Sequence, residues 1–300
     1  MTPEDRRSTD SAIGGWPALP HSLVEEAVRA ALAEDIGRGD ITTATTVPAE
    51  ARAHACMVAR EAGIIAGLPI AAATFALVDP RVSVTPLCRD GDAVEPGSIV
   101  CIADGPARGI LTAERTALNF VQRLSGIATL TSRFVRAVAG TGARIVDTRK
   151  TTPGLRVFEK YAVAVGGGRN HRFGLDDAVL IKDNHIVAAG GISAAVARAR
   201  AAIPHTMTIT VECDTLDQLN EALEAGADIV MLDNMDASTL AQAIGRAKGR
   251  ARIEVSGGIS LETAHAIAAA GAEILSVGAL THSAPALDAA LDFAPPGEAT

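Results

Sequence analysis

Lysine is scarce in this 300-residue chain: only four occur, and three of them, Lys150, Lys160 and Lys182, fall within 33 residues. From Arg144 to Arg172 there are seven Lys or Arg residues against two acids, Asp147 and Glu159, although the whole chain carries a net charge of −8. Arg149 and Lys150 stand just after one apolar run and Lys182 ends the next, while His171 and Arg172 follow the loop Gly166 to Gly168. Arg offers a fork that matches carboxylate or phosphate oxygens, whereas Lys is a compact point charge. Close like charges repel by ~1–4 kcal/mol per pair, so this set needs a multi-carboxylate or phosphate ligand to balance it. Taken singly, each cation reads as half of a salt bridge or as part of a solvated face. Lys160, inside EKYAVAVGGG, reads as structural.

Acids and glycines complete the candidate chemistry. Glu212 and Asp233 each end an apolar run. They could pair with Lys182 and Lys150, bind a divalent metal through oxygen, or hold sugar hydroxyls. Magnesium commonly takes one or two carboxylates and shares its remaining positions with phosphates and water. Ser256-Gly257-Gly258 follows a strand-like run and precedes a helix-like one, and Gly278-Ala279-Leu280 follows the next run. Backbone N–H groups in such turns can approach an oxyanion, and barrels often bind phosphate at their last two strand–helix loops. One SGG turn alone is weak, because glycine commonly just makes a tight turn. His282 could join this cradle or merely pack beside it.

Six apolar runs must bring these residues together. They read ARIVD, AVLIK, TITVE, DIVML, RIEVS and EILSV, and each stops at or just before the polar residues named above. Runs of about five Ile, Val and Leu residues suit buried parallel strands. Helix-like segments such as DTLDQLNEALEAG and LETAHAIAAAG separate them and close on a glycine fit for a C-cap. Strand–helix repetition predicts an α/β fold, a C-terminal α/β barrel of about six parallel strands, in which the strand ends surround one mouth. Upstream, SLVEEAVRAALAED predicts an amphipathic helix with Ser22 as N-cap, and residues 52–105 predict short strands around one helix. This segment makes a smaller α+β sandwich domain; DGDAVEPGSIVCIADG has a lipoyl-like strand–turn–strand pattern, but no lysine precedes Lys150 to carry a prosthetic group. A helical pattern from about Leu111 to Ala139 follows. The expected divisions are a disordered tail over 1–20, the sandwich over 21–125 with 284–300 packing back on it, and the barrel over 126–283.

Composition narrows the function. Hydrophobic residues make up 48% and charged residues 21%, which says globular, and no run of 18 apolar residues suggests a membrane span. An acidic total and 3% aromatics argue against nucleic-acid binding. Cys56, Cys88, Cys101 and Cys213 have neither CxxC nor zinc spacing, so reduced thiols in the cytoplasm are expected.

The segments EDIGRGDITT, ERTALNFVQRLSGIAT, DTRKTTPGLR, EKYAVAVGGGRNHRFGLDDAVLIKDNHI and GALTHS closely resemble the quinolinate phosphoribosyltransferase family, over roughly residues 20–293. That resemblance implies decarboxylating phosphoribosyl transfer from phosphoribosyl pyrophosphate (PRPP) to quinolinate, with Mg²⁺, in de novo NAD biosynthesis. It implies that Arg115, Arg149, His171, Arg172 and Lys182 hold the quinolinate carboxylates. Lys150, Glu212 and Asp233 would serve PRPP, its ribose and the metal, with Lys182 counted among the catalytic groups. Thr148, Ser256, Gly257, Gly258, Val277, Gly278, Ala279 and His282 would surround the phosphates. The family further implies a homodimer in which Arg115 reaches the neighbouring subunit's site. Two alternatives stand beside it: a related phosphoribosyltransferase with another acceptor, and a Schiff-base lyase using Lys182.

Overall fold

The computed structural model describes residues 19–293. Of the tail expected over 1–20, residues 1–18 lie outside the described residues, as do 294–300 of the closing segment. The chain divides into two compact units. One comprises Met1–Ser132, Pro153–Gly167 and Ser283–Thr300; the other comprises Arg133–Thr152 and Gly168–His282.

The first unit begins with α1 (His21–Ile36) and α2 (Ile41–Thr46). Val24, Val28 and Leu32 of α1 recur at four-residue steps and are buried, as one stripe of an amphipathic helix should be. Ser22 is not the N-cap. That position belongs to Pro20, whose φ of −58° already suits a helix start, so Ser22 falls inside the first turn. Then come β1 (Arg52–Ala59), β2 (Gly63–Ile64), α3 (Leu68–Val78), β3 (Ser83–Pro86), β4 (Ala93–Val94), β5 (Ile99–Pro106) and the long α4 (Ala107–Ala137). The chain returns to this unit at its end through β12 (Ala289–Phe293), giving a four-stranded antiparallel sheet of order β12-β1-β5-β3. Met57, Phe75, Val100, Ile110, Leu118, Val121, Leu287 and Leu291 meet in its core.

Residues 153–167 also belong to this unit and form α5 (Arg156–Val165). Glu159 of α5 is fully buried and takes Arg123 Nη2 at 2.8 Å and Nε at 3.1 Å. Lys160 is fully buried on the same helix, as its structural reading expected. Tyr161 donates to Asp90 at 2.8 Å, and Asp90 in turn accepts the Gly67 and Leu68 N–H groups that open α3. Burial raises the Asp90 carboxyl above its usual range, against these hydrogen bonds, which lower it. A Cβ at Gly166 would lie 2.4 Å from the Ala128 carbonyl oxygen, so glycine is required where the chain runs against α4.

The second unit is the expected strand–helix repeat. Its strands are β6 (Arg144–Val146), β7 (Val179–Ile181), β8 (Ile209–Cys213), β9 (Ile229–Asp233), β10 (Arg252–Ser256) and β11 (Ile274–Ser276). They are hydrogen-bonded in the order β6-β11-β10-β9-β8-β7, and every pairing is parallel. The first strand thus lies beside the last, as an α/β barrel demands. At the remaining seam, Arg169 runs along β6: its N–H donates to Ile145 O at 2.9 Å, and Asp147 N–H donates to Arg169 O at 3.2 Å. Between strands lie α6 (Asp183–Ala189), α7 (Ile192–Ala202), α8 (Leu216–Glu224), α9 (Ala237–Ala247), α10 (Leu261–Ala269) and α11 (Ala279–His282). Gly226 and Gly271, beyond α8 and α10, adopt φ of +78° and +113°, conformations that favour glycine after a helix. Among the described residues, no helix is long and apolar enough to cross a membrane.

Replacing Arg123 with Ala strips a fully buried carboxylate of its guanidinium, which should cost roughly 3–5 kcal/mol of stability. Chemical denaturation should show an earlier midpoint; a loss below about 1 kcal/mol would rank the pair with exposed ones.

Candidate active site

Side chains alternate faces along a strand, and residues paired across parallel strands share a face. The register therefore sorts the barrel's two surfaces. Ile145, Val211, Cys213, Val230, Leu232, Ile253, Val255 and Leu275 are buried on one face. On the other, Glu212, Met231, Glu254, Ile274 and Arg144 pair in one row, and Asp233, Ser256, Ser276 and Val146 pair in the next. The polar side chains of these strands thus share one face, interleaved with Met231, Ile274 and Val146, while the other face is apolar throughout. At the C-terminal ends of the same strands stand Thr148, Arg149 and Lys150 after β6, Lys182 after β7, Ser256 to Gly258 after β10, and Val277 to Ala279 after β11.

The cationic side is built around Arg149 and Arg172. The Nε–H of Arg149 is buried and has no protein partner. Arg172 donates through Nη1 to the Ala178 carbonyl at 3.0 Å. Burial pulls the Arg172 ionisation downward, the Arg149 charge adds to this, and Asp177 opposes both. His171 is tied on both ring nitrogens: Nδ1 accepts from Arg172 N–H at 2.8 Å, and Nε2 faces Glu254 Oε1 at 3.4 Å. Lys182 Nζ is paired with Glu212, so one of the two salt bridges considered for the acids is present.

The other is not. Asp233 accepts from Asn234 Nδ2 at 2.7 Å, and Lys150 has no ion-pair partner among the described residues. Lys150 instead lies against the last turn: a Cβ at Gly278 would meet Lys150 Cδ at 3.1 Å and His282 Nε2 at 3.2 Å. Thr281 Oγ1 donates to the Lys150 carbonyl at 2.7 Å, fixing the β6 loop to α11. Gly257 and Gly258 adopt φ of +84° and +60°, and a Cβ at Gly257 would lie 3.0 Å from the Asn234 backbone nitrogen. Glycine there is a steric requirement, not only a turn preference. Arg115 is exposed on α4, in the other unit.

Glu212 is the next-to-last residue of β8 and Asp233 the last of the adjacent β9, and no group of three or more His, Cys, Asp or Glu side chains among the described residues could hold a metal unaided. Two carboxylates fit Mg²⁺ that takes its other oxygens from phosphates and water.

The sequence marks Asp147 only as a polar strand ending and does not single out Glu254 at all. Asp147 is fully buried and accepts from Asn170 Nδ2 at 2.5 Å and His171 N–H at 2.8 Å, holding the 169–172 segment in place. Glu254 is almost fully buried in β10 and accepts from Ser276 Oγ as well as facing His171. The available signal was an acid in the middle of an apolar run, RIEVS, where a buried charge must have partners. Replacing Asp147 with Ala should cost about 1–3 kcal/mol for the buried donors it abandons. Amide exchange at residues 169–172 should then accelerate; unchanged exchange would show that other contacts hold the segment.

Family models for the N-terminal and C-terminal domains of quinolinate phosphoribosyl transferase match residues 40–125 and 127–292. A probable carboxylating nicotinate-nucleotide pyrophosphorylase of Synechocystis is 46% identical over 277 residues, covering 91% of this chain and 94% of that protein. The carboxylating nicotinate-nucleotide pyrophosphorylase of Mycobacterium leprae is 46% identical over 274 residues, covering 89% and 96%. The solved nicotinate-nucleotide pyrophosphorylase of Francisella tularensis superposes with a TM-score of 0.89 at 41% identity, covering 95% of this chain and 99% of its own. With both domain models matched over nearly the whole described chain, the protein belongs to the quinolinate phosphoribosyl transferase family.

Proposed function

We propose that the protein transfers the phosphoribosyl group of PRPP to quinolinate with loss of CO₂, giving nicotinate mononucleotide and pyrophosphate for de novo NAD synthesis. Carboxylating pyrophosphorylases at more than 40% identity support this reading. The observation that carries it within the site is the buried, unpartnered Arg149 Nε–H beside a second guanidinium, that of Arg172. Two adjacent cations with unused donors suit a ligand with two adjacent carboxylates.

Arg149, Arg172 and Lys182, with His171 and an Arg115 from a second subunit of a homodimer, would orient quinolinate so that its ring nitrogen faces the ribose carbon. Lys150, Thr148 and the turns at Ser256 to Gly258 and Val277 to Ala279, with His282, would hold the PRPP phosphates. Glu212 and Asp233 would hold the ribose hydroxyls and Mg²⁺. When bound, Mg²⁺ supplies counter-charge for the pyrophosphate. As pyrophosphate departs, positive charge develops on the ribose, and the fixed carboxylates of Glu212 and Asp233 stabilise it. The ring nitrogen attacks that carbon, so positioning dominates and no protein nucleophile is needed. The electron pair released when the adjacent carboxylate leaves as CO₂ stays on the ring carbon, stabilised by the positive nitrogen beside it, and a proton from Lys150, Lys182 or water completes that carbon. The four free cysteines support a reducing, cytoplasmic setting. Lys182 ends in an ion pair with Glu212, not in the apolar pocket that activates a Schiff-base lysine.

Purified protein given quinolinate, PRPP and Mg²⁺ should release nicotinate mononucleotide and CO₂; no product would defeat the proposal, and borohydride trapping of a substrate on Lys182 would favour the lyase. Arg149→Ala and Lys182→Ala should each lose about 2–5 kcal/mol of transition-state stabilisation, read from kcat/KM. Rates within twofold of the parent would contradict their roles. Mixing Arg115→Ala and Lys182→Ala proteins should restore activity through one intact shared site, and no recovery despite subunit exchange would remove Arg115 from the neighbour's pocket.

A further inference from the structure

The N-terminal end of the barrel, opposite the mouth, holds a second concentration of positive charge. A cavity of about 540 Å³ opens among Arg144, Arg169, Arg252 and Glu273, with Val146 and Ile274 as an apolar wall. Arg144, Arg252 and Ile274 are the first residues of β6, β10 and β11, so the cavity opens at the N-terminal ends of these strands and runs along β6 to Val146, its last residue. Three arginines against one glutamate leave a net charge of +2 in its lining. The glutamate is itself engaged, taking the Ile253 N–H at 3.3 Å.

A structural duty does not account for Arg144 and Arg252. Neither Arg144 nor Arg252 has a carboxylate or carbonyl partner for its guanidinium among the described residues. Arg200, at the end of α7, shows what such a duty looks like: it donates to Gly226 O at 3.0 Å and to Asp228 at 2.8 Å. Like charges gathered around one concavity raise the local potential and favour an anion there. The volume falls in the range of about 300–1,000 Å³ common for small-molecule sites.

We propose that this basal cavity binds a small phosphorylated metabolite carrying two or more negative charges, at a site separate from the mouth. Guanidinium forks match phosphate oxygens bidentately, and the Val146–Ile274 wall offers an apolar surface for the remainder of such a ligand. The occupant would also abut Asn170, which lines the cavity and donates to Asp147. It would therefore contact the segment that leads into His171 and Arg172.

Inorganic tripolyphosphate and citrate serve as probes on the full chain carrying Lys150→Ala, which weakens polyanion binding at the mouth. Hydrogen–deuterium exchange should show tripolyphosphate protecting residues 142–146 and 273–274, and calorimetry should show the affinity falling at least tenfold when Arg144→Gln and Arg252→Gln are added. Both arginines are exposed and unpaired, so the added substitutions should leave the thermal midpoint unchanged. Protection confined to 148–150, 256–258 and 278–282, or affinities within twofold after both substitutions, would overturn the site. Protection of the base by citrate alone would overturn the phosphate assignment. The exchange map with native arginines decides the matter even if the double variant does not fold. Neither readout depends on quinolinate turnover, so the basal site and the transferase assignment can fail independently.

Discussion

Alternation along parallel strands governs this site. Each strand of the second unit buries one set of side chains as an apolar layer, Val211, Val230, Ile253 and Leu275 among them, and turns the other set to the opposite face. That face carries Glu212, Asp233, Glu254, Ser256, Ser276 and Arg144, together with the apolar Met231, Ile274 and Val146. A shift of one residue in β6, β8, β9 or β10 would exchange the two sets, burying charge in the apolar layer. Stability and the site's chemistry are therefore set by the same register.

Buried acids then fix what the loops present. Asp147 holds the backbone and the Asn170 side chain of the segment closing the seam beside β6, while Glu254 stands beneath His171 and joins it to Ser276. Both acids are nearly inaccessible, so each needs the donors it has, and those donors are held in place in return. The cationic residues gain their positions indirectly. Arg172 follows His171, and its ionisation is depressed by burial and by the Arg149 charge, a cost that the fold bears for a pair of cations kept together. The first unit uses the same device in Glu159, which is buried and held by Arg123.

Much of this was legible in the chain. The six apolar runs became the six parallel strands, because runs of Ile, Val and Leu closed by polar residues have few other ways to be buried. The strand endings named as candidates do gather at the C-terminal ends of one sheet, since parallel strands in a barrel leave no other arrangement. Glycines were less legible. Gly257 and Gly258 suggested an anion turn, but the reason Gly257 cannot be replaced is the nearness of Asn234, from the neighbouring strand's end. The start of α1 was misplaced at Ser22 because a favourable capping side chain was weighed above the proline two residues before it.

Local pattern by itself determined the fold class, the strand count and which residues end the strands, because burial and periodicity act over neighbouring residues. Only the tertiary structure decided the partners: Lys182 with Glu212 rather than open to solvent, Asp233 with Asn234 rather than Lys150, and Lys150 against Gly278 and His282. It also separated two cationic groups that the sequence merged into one stretch. Arg149 and Lys150 follow the C-terminal end of β6, whereas Arg144, five residues before Arg149, begins that strand at the basal cavity. A strand rises ~3.3 Å per residue, so a few positions along it carry a charge from one end of the barrel to the other.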